Sequence, residues 1–575
     1  MPTELKRLEK KWVIAEAIPQ NVDQELSSYS PLLRQLLYNR GVKTGWEAEA
    51  YLAGVSPTNQ DPFQMSGMDE AVGILHEAIS NKHKIAVYGD YDVDGITSSA
   101  ILYEFFQVFG IEARVYIPDR FDEGYGLNLE AVEQLSSEGM RLIITVDCGI
   151  SSVVEVARAK ELGMKVIISD HHQVPEQLPD ADAIINPHRP GDNYPFKELA
   201  GVGIAWKLVV AYLQRYPIPN VDPYQWIDLV AIGTVADVAE LTGENRCLVK
   251  RGLALMQTKP RQSLMSLCQV SRIKIQNINA GDIGFGIGPR LNAAGRLEHA
   301  NIAYQLLISK DLYEAARYAQ ELDNINNKRK NLVDESRNIA LNKALAADKD
   351  QLALFVANED FHRGLVGLIA QRVVESVYRP TVVGVIDGDS IVCSARSIEE
   401  FNLIEGLRHC DGLLEKYGGH PLAGGLTVKT ELADAFIERL NDYAKEVLFG
   451  LELLPTLKID KEILLDHLCS EQIPSILHAV DQLEPTGNKN PDALFCSRNC
   501  QVLGLRQLKD GKHLKFIVRD GGVQFEAVAW NMGHLYADMS EYIDIAYSIE
   551  INEYMGNRTV QFNVKDIKKS TTKQA

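Results

Sequence analysis

The sequence predicts a multidomain α/β protein: a mainly parallel, doubly wound domain, a long connecting helix, a second, smaller α/β domain and a C-terminal β domain. Three observations carry this. From residue 84 onward, short β-branched runs alternate with stretches of helical apolar spacing. The polar stretch Asp311 to Ala347 keeps helical periodicity without Gly or Pro. Over residues 455–568 the pattern changes to period-two alternation, as in HLKFIVRD and VQFEAVAW.

Residues 1–60 form a lead segment before the first strand. KIAVY (84–88), ARVYI (113–117), RLIITV (141–146) and KVIIS (165–169) read as strands buried on both faces, because their apolar runs are continuous. The intervening TSSAILYEFFQVF and SSVVEVARAKEL have helical apolar spacing. Residues 198–260 read as helices, and this first domain spans 61–310. A connecting helix follows over 311–347, with Lys328, Arg329 and Lys330 near its middle. LALFVA (352–357), TVVGVI (381–386) and SIVCSA (390–395) supply strands of the second α/β unit, 348–450. A small antiparallel β domain occupies 455–568, and 569–575 form a tail.

A chain of 575 residues has room for about three or four domains. With 46% hydrophobic and 24% charged residues it reads as soluble and globular. No apolar run reaches the ~18 residues of a membrane span. The charged start, MPTELKRLEKKW, lacks the apolar core of a secretory signal, so a cytoplasmic location is expected. Eight scattered cysteines (Cys148, Cys247, Cys268, Cys393, Cys410, Cys469, Cys496, Cys500) exclude a disulfide scaffold and fit a reducing compartment. Cys496 and Cys500 have no second Cys/His pair at metal-finger spacing and read as separate thiols. The net charge of −19 argues against diffuse binding of nucleic acid. It leaves room for a local basic groove, and for carboxylates that hold metal ions.

The chemistry concentrates at strand ends. KIAVY runs into Gly89-Asp90-Tyr91-Asp92-Val93-Asp94-Gly95, before a helix. Alone, these alternate carboxylates read equally as a solvated acidic turn or a divalent-cation site. RLIITV then ends in Asp147-Cys148-Gly149, and KVIIS ends in Asp170-His171-His172. Three strand ends thus offer acids and imidazoles toward one sheet edge, where such folds bind ligands. Mixed His and Asp suit Mn2+, Mg2+ or Zn2+. Successive side chains of an extended strand point oppositely, so one histidine is expected on metal and the other on substrate. Asp237, in AIGTVADVAEL, reads by itself as a helix-surface acid. Gly284-Phe285-Gly286-Ile287-Gly288 looks like a dinucleotide loop but lacks the preceding strand and the glycine spacing.

DYDVDG, VDCG, SDHH and GTVADV, in this order, resemble the four motifs of the DHH phosphoesterase superfamily. GPRLNAAGR (288–296) resembles its RecJ branch. FHRGLVGLIAQRV (361–373), CSARS (393–397) and Tyr417-Gly418-Gly419-His420 resemble the DHHA1 domain, and the tail domain resembles the RecJ OB-fold, a β-barrel. The resemblance runs from about residue 60 to 568 by element order. It implies two divalent cations, Mn2+ or Mg2+. Asp90 and Asp92 would hold one; Asp94, His171 and Asp237 the other; Asp147 would bridge them. His172 would contact the scissile phosphate, with Asp170 orienting the imidazole. Ser394, Arg396, Gly418, Gly419 and His420 would form a pocket for a terminal phosphate. Arg120, Arg290, Asn292 and Arg296 would contact the strand, although an ordinary ion pair competes for each arginine.

In the tail domain, His513, Lys515 and Arg519 share one strand face, flanked by Lys509 and Lys512. They read equally as a track for DNA or as a solvated sheet face. Two departures from the resemblance stand out: the lead-in Pro485-Thr486-Gly487-Asn488-Lys489-Asn490-Pro491, and Cys393 where glycine is common.

The implied activity is a 5′-to-3′ single-stranded-DNA exonuclease of DNA repair and recombination that releases 5′-mononucleotides. A monomer is expected, partnered by single-stranded DNA and by a helicase or single-strand-binding protein. Two alternatives stay in view. DHH phosphodiesterases of short oligoribonucleotides and pyrophosphatases are usually shorter and lack the C-terminal β domain. Non-catalytic nucleic-acid scaffolds lose metal ligands, whereas every expected ligand is present here.

Overall fold

The computed structural model describes residues 8–56, 58, 60–346, 351–468, 472–554 and 557–570, all with side chains except 553, 554 and 557. Ala347 of the expected connecting helix, Cys469 and residues 571–575 of the tail lie outside the described residues. The chain forms two compact units: Met1–Glu9, Gln60–Ala239 and Arg251–Pro455 in the first; Lys10–Asn59, Glu240–Lys250 and Thr456–Ala575 in the second.

The first unit is built on strands β1 (Ile85–Gly89), β2 (Arg114–Tyr116), β3 (Leu142–Val146), β4 (Lys165–Ser169) and β5 (Ala183–Ile185). They are all parallel, in the order β2-β1-β3-β4-β5. The strand order reverses between β1 and β3, so the ligand crevice of such a sheet opens at their carboxyl ends. Helices α1 (Val93–Gln107), α2 (Leu129–Ser137) and α3 (Val153–Glu161) follow β1, β2 and β3. Ala86, Tyr88, Ile143, Val166 and Ile168 bury one face of the sheet against Ala131 and Leu135 of α2 and Val156 and Ala159 of α3. Helices α4 (Gly201–Arg215) and α5 (Ile227–Ala236) pack with α1, and α1 and α4 also pack on the sheet. Continuous apolar runs therefore suit β1 and β3, which are buried throughout. ARVYI differs from expectation. As β2 it is an edge strand with Arg114 exposed and Val115 and Tyr116 half-buried, because it has a partner on one side only.

Further helices are α6 (Gly243–Thr258), α7 (Gln262–Ser271), α8 (Gly288–Leu297) and α9 (Leu312–Ala346). The 35 residues of α9 make a rod ~50 Å long. It leads to the mixed sheet of strands β6 (Leu354–Asn358), β7 (Thr381–Asp387), β8 (Ser390–Arg396), β9 (Leu414–His420) and β10 (Ala423–Lys429). Their order is β9-β10-β8-β7-β6, with helices α10 (Val366–Val377) and α11 (Ala433–Leu448) packed on it. The Tyr417–His420 segment is the end of edge strand β9 rather than a free glycine loop. A side chain at Gly419 would meet the Ala423 carbonyl at 2.4 Å, so only glycine fits.

In the second unit, β11 (Phe495–Leu508), β12 (His513–Asp520), β13 (Val523–Ala529), β14 (Tyr542–Tyr554) and β15 (Asn557–Lys569) close into a five-stranded barrel, β11-β12-β13-β15-β14-β11. Within the barrel ring the expected antiparallel pattern fails where β13 and β15 pair in parallel, and outside it Lys461–Glu462 and Thr456–Ile459 also pair in parallel with their neighbours. A closed ring with an odd number of strands cannot alternate direction throughout, so one parallel pair is forced. Inside, Phe562 stacks on Tyr547 at 4.1 Å and on Phe525 at 4.7 Å.

The lead segment is no separate piece. Leu33, Leu36, Leu37 and Ala48 join the barrel's own core. Arg40 pairs with Asp460 at 3.1 Å, and Arg246 lies over the Tyr51 ring at 3.9 Å. Asn490 of the unusual lead-in donates to the Leu483 and Pro485 carbonyls. The described cysteines are all buried and unlinked; Cys496 and Cys500 belong to different core clusters. No helix among the described residues is long and apolar enough to cross a membrane.

Phe562 is fully buried, so Phe562→Ala should cost about 3–5 kcal/mol in urea unfolding of the full chain. A loss below about 1 kcal/mol would contradict the stacked barrel core.

Candidate metal centre

Each acidic group is set by local backbone. The β1–α1 turn is drawn tight: a side chain at Gly95 would meet the Asp90 backbone at 2.5 Å. Asp92 caps α1, accepting from the amides of Asp94 (2.9 Å) and Gly95 (3.3 Å). Asn292 Oδ1 accepts the Val93 amide at 3.2 Å, fastening the same turn. Asp94 is buried, and its two oxygens accept the Gly201 and Val202 amides at 2.7 Å each, at the start of α4. Asp147 leaves β3 at φ 60°, its amide bonded to the Ser169 carbonyl at 3.0 Å. That left-handed kink turns the carboxylate back over the sheet edge. Asp237 caps the end of α5.

The structure brings these groups together. Asp90, Asp92 and Asp147 each offer a ligand atom, mutually within 4.8 Å; so do Asp94, His171 and Asp237. Asp147 also groups with His171 and His172. His171 Nε2 lies 3.1 Å from Asp147, 3.8 Å from Asp94 and 4.0 Å from Asp237. Asp147 thus sits between the two sets.

Burial, and then repulsion from neighbouring carboxylates, raises Asp90, Asp147 and Asp237 well above the ordinary carboxylate range. The same causes push Asp94 up to about 7, against the pull of the Val202 and Gly201 amides. Burial, with the neighbouring His172, lowers His171 to about 4, leaving a neutral ring whose nitrogen can ligate. Asp90 Oδ1, Asp147 Oδ1 and His171 Nε2 are buried with no hydrogen-bond partner. Such acceptors are costly unless a cation faces them, so the residues fit divalent metal.

Asp170 behaves differently. It accepts from the amides of Ile150, His171 and His172 and from His172 Nδ1 at 2.7 Å. Although burial opposes ionisation, these bonds hold its carboxyl below the usual range. Burial also works against charge on His172, but the Asp170 bond together with the charges of Asp170, Asp90 and Asp92 outweighs it and raises that imidazole. The Tyr125 hydroxyl reaches His172 Nδ1 at 3.2 Å and lies 3.4 Å from the Asp147 carbonyl. Tyr125, Gly201 and Val202 carried no signal in the sequence beyond the glycines of EGYG and AGVG.

Arg120, Arg296, Arg329 and Arg396 form no ion pair among the described residues. Burial lowers Arg296 to about 10, with Arg120, Arg329 and Arg396 adding repulsion. Arg396 is lowered by burial and by Arg120. An arginine group with no ion-paired carboxylate is a ready anion site, although the charge of Asp92 acts on Arg296. Ser394 and Arg396 lie at the amino end of α10, where a side chain at Gly367 would come within 3.0 Å of Arg396 Nη2. Gly419 and His420 line a cleft of about 400 Å³ with Tyr125, Asp170 and His172. Gly418 lies in the same strand, β9. Cys393 points the other way, into the core of the second sheet.

Other expected contacts are otherwise engaged. Arg290 pairs with Asp323 at 2.8 Å and donates to the Gly286 carbonyl. In the barrel, Lys515 pairs with Glu526 at 3.0 Å, Arg519 donates to the Gly521 carbonyl, and Lys509 sits 6.0 Å from the Trp530 ring. His513 accepts the Asn531 amide, and Lys512 is exposed. Gly284–Gly288 includes a π-helical turn leading into α8, not a dinucleotide loop.

The family model described as the DHH family N-terminal domain matches residues 84–234, the DHHA1 domain 349–446, and the RecJ OB domain 459–566. The single-stranded-DNA-specific exonuclease RecJ of Bacillus subtilis is 38% identical over 542 residues, covering 93% of this chain and 68% of the relative. That of Salmonella typhimurium is 36% identical, covering 93% and 96%. The crystal structure of RecJ in complex with Mn2+ from Thermus thermophilus superposes with a TM-score of 0.83 at 28% identity, covering 98% of this chain and 80% of that one. The shared domain order and the likeness over most of the chain together show that the chain belongs to the RecJ family of the DHH superfamily.

Proposed function

We propose that this protein hydrolyses single-stranded DNA from its 5′ end, releasing 5′-mononucleotides. The carrying observation is the set of buried, partnerless acceptors on Asp90, Asp147 and His171. Asp90 and Asp92 would hold one divalent cation, Asp94, His171 and Asp237 a second, and Asp147 would bridge. Bound there, Mn2+ or Mg2+ would neutralise phosphate charge and supply an activated water. His172, protonated more readily because of Asp170, donates to a phosphate oxygen. Tyr125 fixes its ring. Ser394 and Arg396, with Arg296 and Arg120, grip the terminal phosphate through forked donors. This local cluster answers the acidic net charge, since capture needs a few contacts rather than a basic surface. A helicase or single-strand-binding protein would present the strand, in cytoplasmic DNA repair and recombination.

Digestion of 5′- and 3′-blocked fluorescent DNA and RNA strands with Mn2+, Mg2+ or EDTA tests the reading. Shortening of DNA that is stopped by a 5′ block and by EDTA supports it; preference for short RNA would replace it with the oligoribonucleotide alternative. Asp147→Ala should abolish hydrolysis, and near-normal turnover of that variant with Mn2+ would refute the shared ligand. Arg396→Ala should slow cleavage of 5′-phosphorylated strands more than of 5′-hydroxyl strands; equal losses would make it a structural arginine. Joint replacement of Lys509, Lys512 and Arg519 by alanine should flatten the salt dependence of binding by ~0.7 in log–log slope per lost contact. An unchanged slope would return that strand face to plain solvation.

A further inference from the structure

We propose that Arg261 is a positioning residue, a buried clasp that sets the spacing of Asp94 and Asp237 from the far ends of the helices that carry them. The inference rests on the cation-site reading above. Arg261 immediately precedes α7 and touches neither the strand ends nor the arginine cluster. Its Nε and Nη2 grip both oxygens of Asp228 at 2.6 and 3.0 Å. Its Nη1 reaches Glu104 at 3.2 Å and the Leu307 carbonyl at 3.3 Å. The other Glu104 oxygen accepts from Trp226 Nε1 at 2.8 Å. One guanidinium thus joins two carboxylates on two helices, with Asp228 only 2% exposed.

Those helices are α1 and α5. Asp94 and Glu104 stand at opposite ends of α1, and Asp228 and Asp237 at opposite ends of α5. At 1.5 Å rise per residue, clasp and ligand are separated by ~14–15 Å along each helix. The helices run antiparallel, so both ligands lie at one end and both clasp carboxylates at the other. Between them the α5 backbone at Gly233 presses directly on α1 side chains. A side chain at Gly233 would fall 2.4 Å from Thr97 Oγ1 and 3.1 Å from Asp94 Oδ1. This close contact acts as a pivot on α5, with Asp228 and Asp237 at similar distances on either side of Gly233. Arg261 neutralises two acids that would otherwise repel in a dry setting. Releasing that repulsion tilts α5 about Gly233 and moves Asp237 relative to Asp94.

Mn2+ titration calorimetry on the full chain tests this, with folding checked by circular dichroism. Asp237→Asn should weaken Mn2+ binding and so register the site. Arg261→Gln should weaken it about tenfold or more, the range for residues that orient metal ligands from behind. Arg261→Lys, which keeps the charge but loses the fork, should recover part of the loss. Glu104→Gln, of matching shape, should give a smaller loss. Leu440→Ala, in the remote core of the second sheet, should destabilise the fold without changing Mn2+ affinity. If Arg261→Gln fails to fold, the Lys and Glu104 variants decide. Parent affinity in folded Arg261 and Glu104 variants, with Asp237→Asn impaired, overturns the clasp alone. An unimpaired Asp237→Asn overturns the cation-site reading, and the clasp with it.

Discussion

The constraint on which the catalytic unit depends is the burial of several carboxylates at one sheet edge. Asp90, Asp94 and Asp147 are almost wholly removed from water and face one another, with Asp237 beside them. Left alone, each would be driven to protonate. Much of the surrounding structure offsets that cost. The amides of Gly201 and Val202 stabilise Asp94, the capped start of α1 holds Asp92, and the left-handed backbone at Asp147 directs its side chain toward His171. Divalent cations complete the compensation. The acidic composition and the binding of an acidic polymer are therefore compatible: in the proposed mode the acids would face metal, while a separate arginine group would face phosphate.

The site has two electrostatic halves of different design. His171 is kept neutral by burial, as a ligand must be, while its neighbour His172 is tied to Asp170 and gains basicity. The two rings touch edge to face at 4.6 Å, so the difference comes not from opposite strand faces but from the Asp170 carboxylate, which bonds His172 alone of the two rings. Burial first, and then neighbouring arginines, disfavour the charge on Arg296 and Arg396, the environment that the proposed terminal phosphate would offset. Asp170 is the quiet member, saturated with donors and already ionised.

Much of this was legible in the sequence because parallel strands place their following loops at one edge. The runs ending in Asp90, Asp147 and Asp170 therefore mark the crevice by local pattern alone. Asp237 was not legible from its surroundings: at the end of an apolar helix it looks like a surface acid, and only the family resemblance singled it out. Gly201 and Val202 act through backbone amides, which leave no side-chain signature. Tyr125 lies in a turn whose glycines suggest only flexibility. Arg290 shows the limit of motif reading, since its partner Asp323 is remote in sequence. The parallel strand pair of the barrel and the docking of the lead segment on it follow from ring closure and from contacts distant in sequence, to which local periodicity is blind.

The central claim is that one acidic cluster holds two cations side by side. Electron paramagnetic resonance of the full chain titrated with Mn2+ measures this directly. At two equivalents, ions roughly 3.5–4 Å apart across Asp147 should give the broad spectrum of a spin-coupled pair. A spectrum that stays the six-line signal of isolated Mn2+, saturating at one equivalent, would contradict the account.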